Sequence, residues 1–433
     1  MKENLIIYQM ALRTFTPEGT LKAAQKLLPF IASLNVDIIY LCPVFKTEND
    51  MDTATWSPRQ KASNTNNPKN PYKISDYFTV DEEYGSNEDL KNFVEEAHRN
   101  GLKILFDLVY FHCDKNAVFI KENPDFVERN EDGTITVGDN WPFARLNFKN
   151  SQLRKYLLSN METFVKEYHV DGFRCDVGDH VPLDFWEESF KELKKISPDL
   201  ITLNEGYSPD YIKEVFDMEY GFSWNRRVVD VFSGKKTADE LKNYCIWEQE
   251  KYGRSIHKII RTIDTHDFAS DCGVNRNEFS MTSKGVEAAL VLNNTYCGVP
   301  FLWNGYEVCD NAENCMFSNR FYGKRSSINW SQAYTYEGMR RTDFIKKIHN
   351  LHHHIEPLYN GEIEWIANDM PKHVISYIKR TENSAVAVIV NTQNMPVNVN
   401  ANVNLGKVFM KSDVVINEKI TMGAYGYIIA EIL

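Results

Sequence analysis

Val170-Asp-Gly-Phe-Arg-Cys-Asp-Val-Gly-Asp-His180 is the stretch from which the fold can be read. An apolar approach through Tyr168 and Val170 reads as a buried strand that delivers Arg174, Asp176 and His180 at or just past its end. In a β/α barrel, that end of a strand is where chemistry sits. A carboxylate two residues from an arginine stays ionised at neutral pH, because the guanidinium favours the charged form. An ionised, oriented carboxylate can act as a nucleophile. The plainer alternative is a surface salt bridge beside a strand, and the rest of the chain has to decide between the two.

Outward from this stretch, short apolar runs alternate with helical patterns. Strands are predicted at Leu5–Met10, Val36–Leu41, Leu102–Val109, Leu200–Leu203, Ile256–Ile263 and Val299–Trp303. Helical spacing covers Leu21–Leu34, Asn87–Arg99, Gln152–Tyr168, Trp186–Ile196 and Val286–Tyr296. Repeated strand–helix units imply a parallel sheet with helices outside. At 433 residues, the first choice is an α/β fold built on a (β/α)8 TIM barrel. Two stretches break the rhythm. Residues 112–150 are rich in Asn, Asp and Gly and read as a short insert after the third strand. From residue 356 onward, short alternating runs (His373–Lys379, Ala385–Asn391, Val397–Val403, Asp413–Val415, Tyr425–Ile432) predict a C-terminal antiparallel β-sandwich. The expected division is therefore barrel over 1–111 and 151–355, insert over 112–150, and sandwich over 356–433.

A net charge of −11 and a pI near 5.6 argue against nucleic acid as the partner. No run of 18 apolar residues predicts a membrane helix. The opening MKENLIIYQM lacks a signal-peptide core. The eight cysteines (Cys42, Cys113, Cys175, Cys245, Cys272, Cys297, Cys309 and Cys315) are scattered with no C-x-x-C pair. Cys42, Cys175 and Cys297 sit in apolar strand contexts, where a thiol packs as a small hydrophobe. A reducing, cytoplasmic location is the expectation, as a monomer or small homo-oligomer.

Polar groups collect where the strands finish. Asp107 and His112 flank the third, Arg174, Asp176 and His180 follow the fourth, Glu205 the fifth, and His266 with Asp267 the seventh. Packing explains this poorly, since unpaired charge in a water-poor crevice is costly. Parallel strands of one barrel point these ends at a common mouth. Carboxylates in that company suit glycosidic bond cleavage, in which one attacks the anomeric carbon and another is held protonated for the leaving oxygen. Metal-assisted hydrolysis competes, but no H-x-x-x-H or H-E-x-x-H spacing occurs among these strand-end residues.

These residues carry a resemblance. Phe106-Asp-Leu-Val-Tyr-Phe-His112, Gly172-Phe-Arg-Cys-Asp176 with His180, Asn204-Glu205-Gly206 and Ile263-Asp-Thr-His-Asp267 resemble, in order, the four motif segments of the α-amylase family of retaining glycosidases (glycoside hydrolase family 13). Pro71-Tyr-Lys-Ile-Ser-Asp-Tyr77 and Gly298-Val-Pro300 through Gly305-Tyr-Glu307 resemble two further family stretches. The resemblance runs over nearly the whole chain. It implies Asp176 as nucleophile, Glu205 as general acid/base and Asp267 as a third carboxylate gripping sugar hydroxyls. It further implies Arg174 aiming Asp176, His112, His180 and His266 contacting sugar, Tyr72 stacking under it, and Asp107 supporting the arginine.

The chain also departs from the family. Phe111 stands where calcium-dependent members have an Asn ligand, and phenylalanine offers no oxygen, so calcium is not expected at that site and no cofactor is assigned, while Asp114, Asp125 and Asp139 in the insert leave another cation site open. Arg145-Leu-Asn147 stands where D-L-N usually begins, and Asp179 stands where Lys often precedes the histidine. Among Trp56, Trp141, Trp303 and Trp330, Trp303 is the best-placed candidate for sugar stacking. The His352-His353-His354 run reads as solvated surface at a helix end. The implied activity is hydrolysis of α-linked glucans or malto-oligosaccharides through a covalent intermediate. A transglycosylase using the same site and a non-catalytic carbohydrate-binding relative are the rivals.

Overall fold

A computed structural model describes residues 4–269, 276–322 and 327–433. Cys272 lies outside the described residues; the other seven cysteines are free thiols. Eight parallel strands form one sheet: β1 (Ile7–Met10), β2 (Ile38–Leu41), β3 (Lys103–Leu108), β4 (Gly172–Cys175), β5 (Ile201–Asn204), β6 (Met218–Glu219), β7 (Ile260–Arg261) and β8 (Val299–Trp303). Each pairs with its sequence neighbour, and β8 pairs back onto β1 (Ile7 level with Phe301). The remaining gap is closed by a parallel bridge between Glu219 of β6 and Ile259, the residue before β7. The eight-fold barrel expected from the strand–helix rhythm is thus present. Its strands are buried along almost their whole length, because helices cover the outside and side chains fill the inside.

Several elements match the sequence pattern because the local chemistry is unambiguous. Helix Asn87–Arg99 starts at a reciprocal cap between Ser86 and Asp89, and β8 begins and ends where its apolar run does. Others differ. The single helix expected over Leu21–Leu34 is two short ones, Leu21–Gln25 and Leu28–Ala32, with Pro29 in the first turn of the second. Ile256 to Lys258 belong to a tight helical turn (Gly253–Lys258), so β7 starts later than its apolar run suggests. β6 is only two residues long and carries no legible pattern.

Two excursions build walls on the barrel mouth. Between β2 and β3, a hairpin (Phe45–Thr47 with Ile74–Val80) and a short helix (Pro58–Ala62) form a segment that the hydrophobic pattern does not announce. After β3, residues 112–150 form a small ribbon (His112–Cys113 with Ala144–Arg145) and a five-residue helix, Val118–Glu122.

The C-terminal module is antiparallel: β9 (Glu362–Trp365), β10 (Val374–Arg380), β11 (Ala385–Asn391), β12 (Val397–Val399), β13 (Leu405–Ile416) and β14 (Ile420–Ile432). β14 organises it. Its first residues pair with β12, its last with β11, and β13 runs along both parts. One face (Ile375, Tyr377, Val388, Ile429) joins the barrel's core. The other (Val374, Ile389, Met422, Ile428) encloses a second small core with Val397 and Val399. The histidine run departs from expectation. His352 is 1 % exposed, and its Nδ1 meets the Asn294 carbonyl at 2.9 Å, tying the last turn of helix Tyr336–His354 to helix Asn277–Thr295. Among the described residues, no helix is long and apolar enough to cross a membrane.

Gly172 marks where the barrel tolerates no side chain. A Cβ there would sit 1.9 Å from the Ile201 carbonyl oxygen on the adjacent strand. Backbone cannot rotate away as a side chain can, so Gly172→Ala must part β4 from β5. The expected result is destabilisation of about 3 kcal/mol or more, measured by thermal or urea unfolding. A variant that melts with the wild type would contradict this packing.

Candidate active site

At the C-terminal mouth of the barrel lies a cleft of about 530 Å³. Asp176, Glu205, Asp267, Tyr72, His112, His180 and His266 all line it. Arg174 is wholly buried at its floor and reaches three carboxylates. Its Nη1 donates to Asp107 Oδ1 at 2.7 Å and to Asp176 Oδ1 at 2.9 Å, and its Nη2 lies 2.6 Å from Glu205 Oε2. The rings of Tyr40, Tyr72 and Tyr220 stand around the guanidinium at 5.4–5.7 Å, a setting that favours a desolvated cation.

The turn after β4 shapes the site. Val177 has φ +40°, a left-handed backbone that a β-branched residue avoids unless the surroundings impose it. This turns the Val177 N–H onto Glu205 Oε2 at 2.9 Å. Gly178 follows because a Cβ there would meet Asn204 Oδ1 at 2.1 Å. Asp179 does not face the leaving side of the cleft as a free charge. Its carboxylate accepts from Asn204 Nδ2 (3.0 Å), Tyr207 N (2.6 Å) and Ser208 N (3.1 Å), and so clamps the loop that carries Glu205.

Burial pushes the Asp176 and Glu205 carboxyls above their ordinary range; Arg174 opposes the shift and neighbouring carboxylates reinforce it. One guanidinium facing three carboxylates leaves the cluster short of positive charge. The Asp176–Glu205 pair therefore favours holding a proton more strongly than free carboxyls do, and its titration belongs to the pair as a unit. Asp267 behaves oppositely. Burial would raise it, but His266 and Arg59 outweigh that and hold it low. Arg59 Nη1 donates to Asp267 Oδ1 at 2.7 Å. Sequence reading missed this residue, which arrives on the helix of the unannounced β2–β3 excursion.

His266 is fixed from both ends. Gln9 Nε2 contacts its Nδ1 at 2.6 Å and Gln9 Oε1 accepts its backbone N–H, which makes Nδ1 the acceptor and leaves the proton on Nε2. Nε2 then reaches Tyr72 Oη at 2.7 Å, and Tyr72 donates to Asp107 at 2.9 Å. Tyr72 stacks on His266 with ring centres 5.3 Å apart. Burial drops His266 to about 4 and His112 to about 4, so both are neutral at pH 7. His112 Nε2 donates to the Tyr72 carbonyl at 2.9 Å. His180 is exposed at the rim, its ring tilted against Phe111 at 5.1 Å.

Trp303 is a correction. It stands level with Gln9 in strand register, is 1 % exposed and does not line the cleft, so its indole belongs to barrel packing. Trp56 is buried, and Trp330 packs on Phe15 and Phe30. Trp141, 37 % exposed, is the tryptophan that lines the cleft. On the Glu205 side, Tyr207, Phe222 and Phe268 form an aromatic rim with Arg226 over Phe268, which motif reading did not single out. The residues at the family's calcium position do not fit a metal. The Arg145 guanidinium lies 4.7 Å over the Phe111 ring, putting a fixed cation where oxygen ligands would be needed. Among the described residues no three His, Cys, Asp or Glu side chains are grouped to hold a metal ion.

Beneath the Glu205 loop, Asn204 also donates to Glu219 Oε2 at 3.2 Å. Glu219 is fully buried, and burial raises its carboxyl to about 8. Between the unfolded value and 8, the folded state keeps a proton that the unfolded chain has lost, so this residue weakens folding as pH rises through that window. Glu219→Gln should remove about 2–3 kcal/mol of the stability lost between pH 6 and pH 8. Urea unfolding across that range checks it, and parallel pH curves for the two proteins would contradict the buried acid.

Residues 8–132 match the model of the α-amylase catalytic domain. The chain is 25% identical over 394 residues to "Alpha-amylase 2" of Dictyoglomus thermophilum, covering 87% of this chain and 64% of that protein. It is 25% identical over 317 residues to a cyclomaltodextrinase of Thermoanaerobacter pseudethanolicus, covering 67% of this chain and 50% of that one. The chain thus spans less than two thirds of these curated relatives. A solved maltogenic α-amylase from Thermotoga neapolitana has the same fold, with TM-score 0.80 at 24% identity, covering 99% of this chain and 96% of that one.

Proposed function

We propose that this chain, which belongs to the α-amylase family, is a retaining glycosidase that cleaves short α-linked glucans. The observation that carries the reading is the single buried guanidinium of Arg174 shared by Asp107, Asp176 and Glu205 at the cleft floor. Two carboxylates on one guanidinium fit the closer of the two glycosidase spacings, about 5–5.5 Å, at which one carboxylate attacks the sugar directly. Asp176 is the nucleophile and Glu205 holds the pair's proton. As the Asp176 oxygen bonds to the anomeric carbon, the glycosidic C–O bond breaks and Glu205 protonates the departing oxygen. Glu205 then takes a proton from water, which attacks the same carbon and frees Asp176. Asp267 contacts the sugar's hydroxyls, and His266 joins it by turning its Nε2–H from Tyr72 Oη to the sugar. A sugar reaching Asp267 must share or displace Arg59, which now holds that carboxylate.

The relatives' names, cyclomaltodextrinase and maltogenic α-amylase among them, support malto-oligosaccharides and cyclic maltodextrins as substrates. The two excursions walling a cleft of about 530 Å³ agree with a short substrate. A transferase reading draws on the aromatic rim of Tyr207, 53 % exposed, with Phe222 and Phe268, a surface on which an acceptor sugar can stack. Products from maltotriose separate the two: longer oligomers mean transfer, and only shorter ones mean hydrolysis.

Proton NMR of freshly released sugar from maltotriose or a cyclic maltodextrin should show the α-anomer first. Asp176→Asn should lower kcat about a thousandfold or more while the protein stays folded. A β-anomer as first product, or sustained turnover by Asp176→Asn, would overturn the mechanism.

A further inference from the structure

At the opposite end of the barrel from the cleft, Cys297 precedes β8 and Lys379 lies near the end of β10 in the C-terminal sheet. The two are 82 positions apart in sequence, yet Lys379 Nζ lies 3.2 Å from Cys297 Sγ. Both are buried, at 0 % exposure for Lys379 and 1 % for Cys297. A lysine head in such a place normally has a carboxylate. Among the described residues, the Lys379 ammonium has this sulfur as its one hydrogen-bond partner. The Cys297 carbonyl is held separately by Arg261 Nε at 2.5 Å, which fixes the backbone of the turn. Burial by itself would raise the thiol, but the Lys379 ammonium and the His257 imidazole beside it bring it down to about 7. This environment favours the thiolate, the form that peroxides oxidise. Burial also lowers the Lys379 ammonium. His257, the imidazole beside the sulfur, also lines a cavity of about 980 Å³ with Val299, Glu362 and Arg380, although neither Cys297 nor Lys379 is part of its lining.

We propose that Cys297 and Lys379 form a peroxide-driven, thiol-reversible covalent cross-link between the barrel and the C-terminal sheet. The thiolate attacks hydrogen peroxide, the O–O bond breaks, and sulfur keeps one oxygen as a sulfenic acid while the other leaves as hydroxide. The sulfur is now uncharged, so the buried ammonium loses its counter-charge and passes its proton to that hydroxide, which leaves as the first water. The free amine, already beside the sulfur, attacks it. An S–N bond forms, the S–O bond breaks and a second water leaves. Cysteine and lysine together lose two hydrogens and two electrons, and one peroxide is reduced to two waters. Two equivalents of an external thiol reverse the change and end as its disulfide. None of these atoms lies in the cleft, so the link acts on the union of the two modules and not on the candidate chemistry.

The test treats the full chain with hydrogen peroxide, alkylates the remaining thiols and maps peptides without reduction. Expected is one joined pair carrying Cys297 and Lys379, lighter than the sum of its parts by two hydrogens and abolished by dithiothreitol. The oxidised protein should also melt at a higher temperature until reduced, as a cross-link between distant positions requires. Lys379→Met should give no joined pair and slow the oxidation of Cys297, because the buried thiol loses the charge that favours its thiolate. The wild-type map decides the matter even if that variant folds poorly. Cys297 found unmodified, or as a sulfinic or sulfonic acid with Lys379 unjoined, would overturn the proposal.

Discussion

A single buried positive charge organises the mouth of this barrel. Arg174 cannot be solvated where it lies, and a buried charge without partners costs several kcal/mol. It is met by Asp107 on the neighbouring strand, Asp176 just past its own strand and Glu205 from the next. Those three carboxylates need it in turn, since without the guanidinium they would repel one another where little solvent screens them. The constraint reaches outward through hydrogen bonds: Asp107 anchors Tyr40 and Tyr72, Tyr72 anchors His266, and Gln9 sets the tautomer of His266. The strained backbone at Val177 belongs to the same arrangement, because it aims an N–H at Glu205 that a relaxed turn would send elsewhere.

The ends of the barrel strands are legible in sequence because two signals coincide there: a buried apolar run and a sudden charge. Asp107, Asp176, Glu205 and Asp267 announce themselves in that way, and the structure brings three of them onto one arginine with Asp267 lining the same cleft. What escapes has a physical reason in each case. β6 is two residues long, too short for any period to register. Arg59 comes from a loop segment whose Asn, Thr and Pro content looks like a connection, yet it pairs with Asp267. Trp303 stands at a strand end, a position that points to the cleft in sequence. Its register beside Gln9 puts it in the barrel's packing, which sequence position does not reveal. His352 looked like surface because it stands among histidines, but a carbonyl on another helix satisfies it.

The two excursions explain how a general barrel mouth becomes a particular cleft. One brings Arg59 and Tyr72; the other brings His112, Trp141 and the Arg145 that rests on Phe111. The Phe111–Arg145 stack joins ring and cation at the base of the second excursion. Asp179 does comparable work on the opposite side, where its three accepted hydrogen bonds fix the loop behind Glu205. Each wall is therefore held by its own set of contacts, while the floor depends on Arg174.

The most direct measurement is mass spectrometry of peptides after reaction with a 5-fluoro-α-glycosyl fluoride, a substrate whose covalent intermediate forms faster than it breaks down. A sugar mass is expected on the peptide carrying Asp176, bound through that side chain and released slowly when an acceptor sugar is added. A label on Glu205 or Asp267, or no label from an enzyme that still turns over glucan, would contradict an Asp176 held by Arg174 for nucleophilic attack.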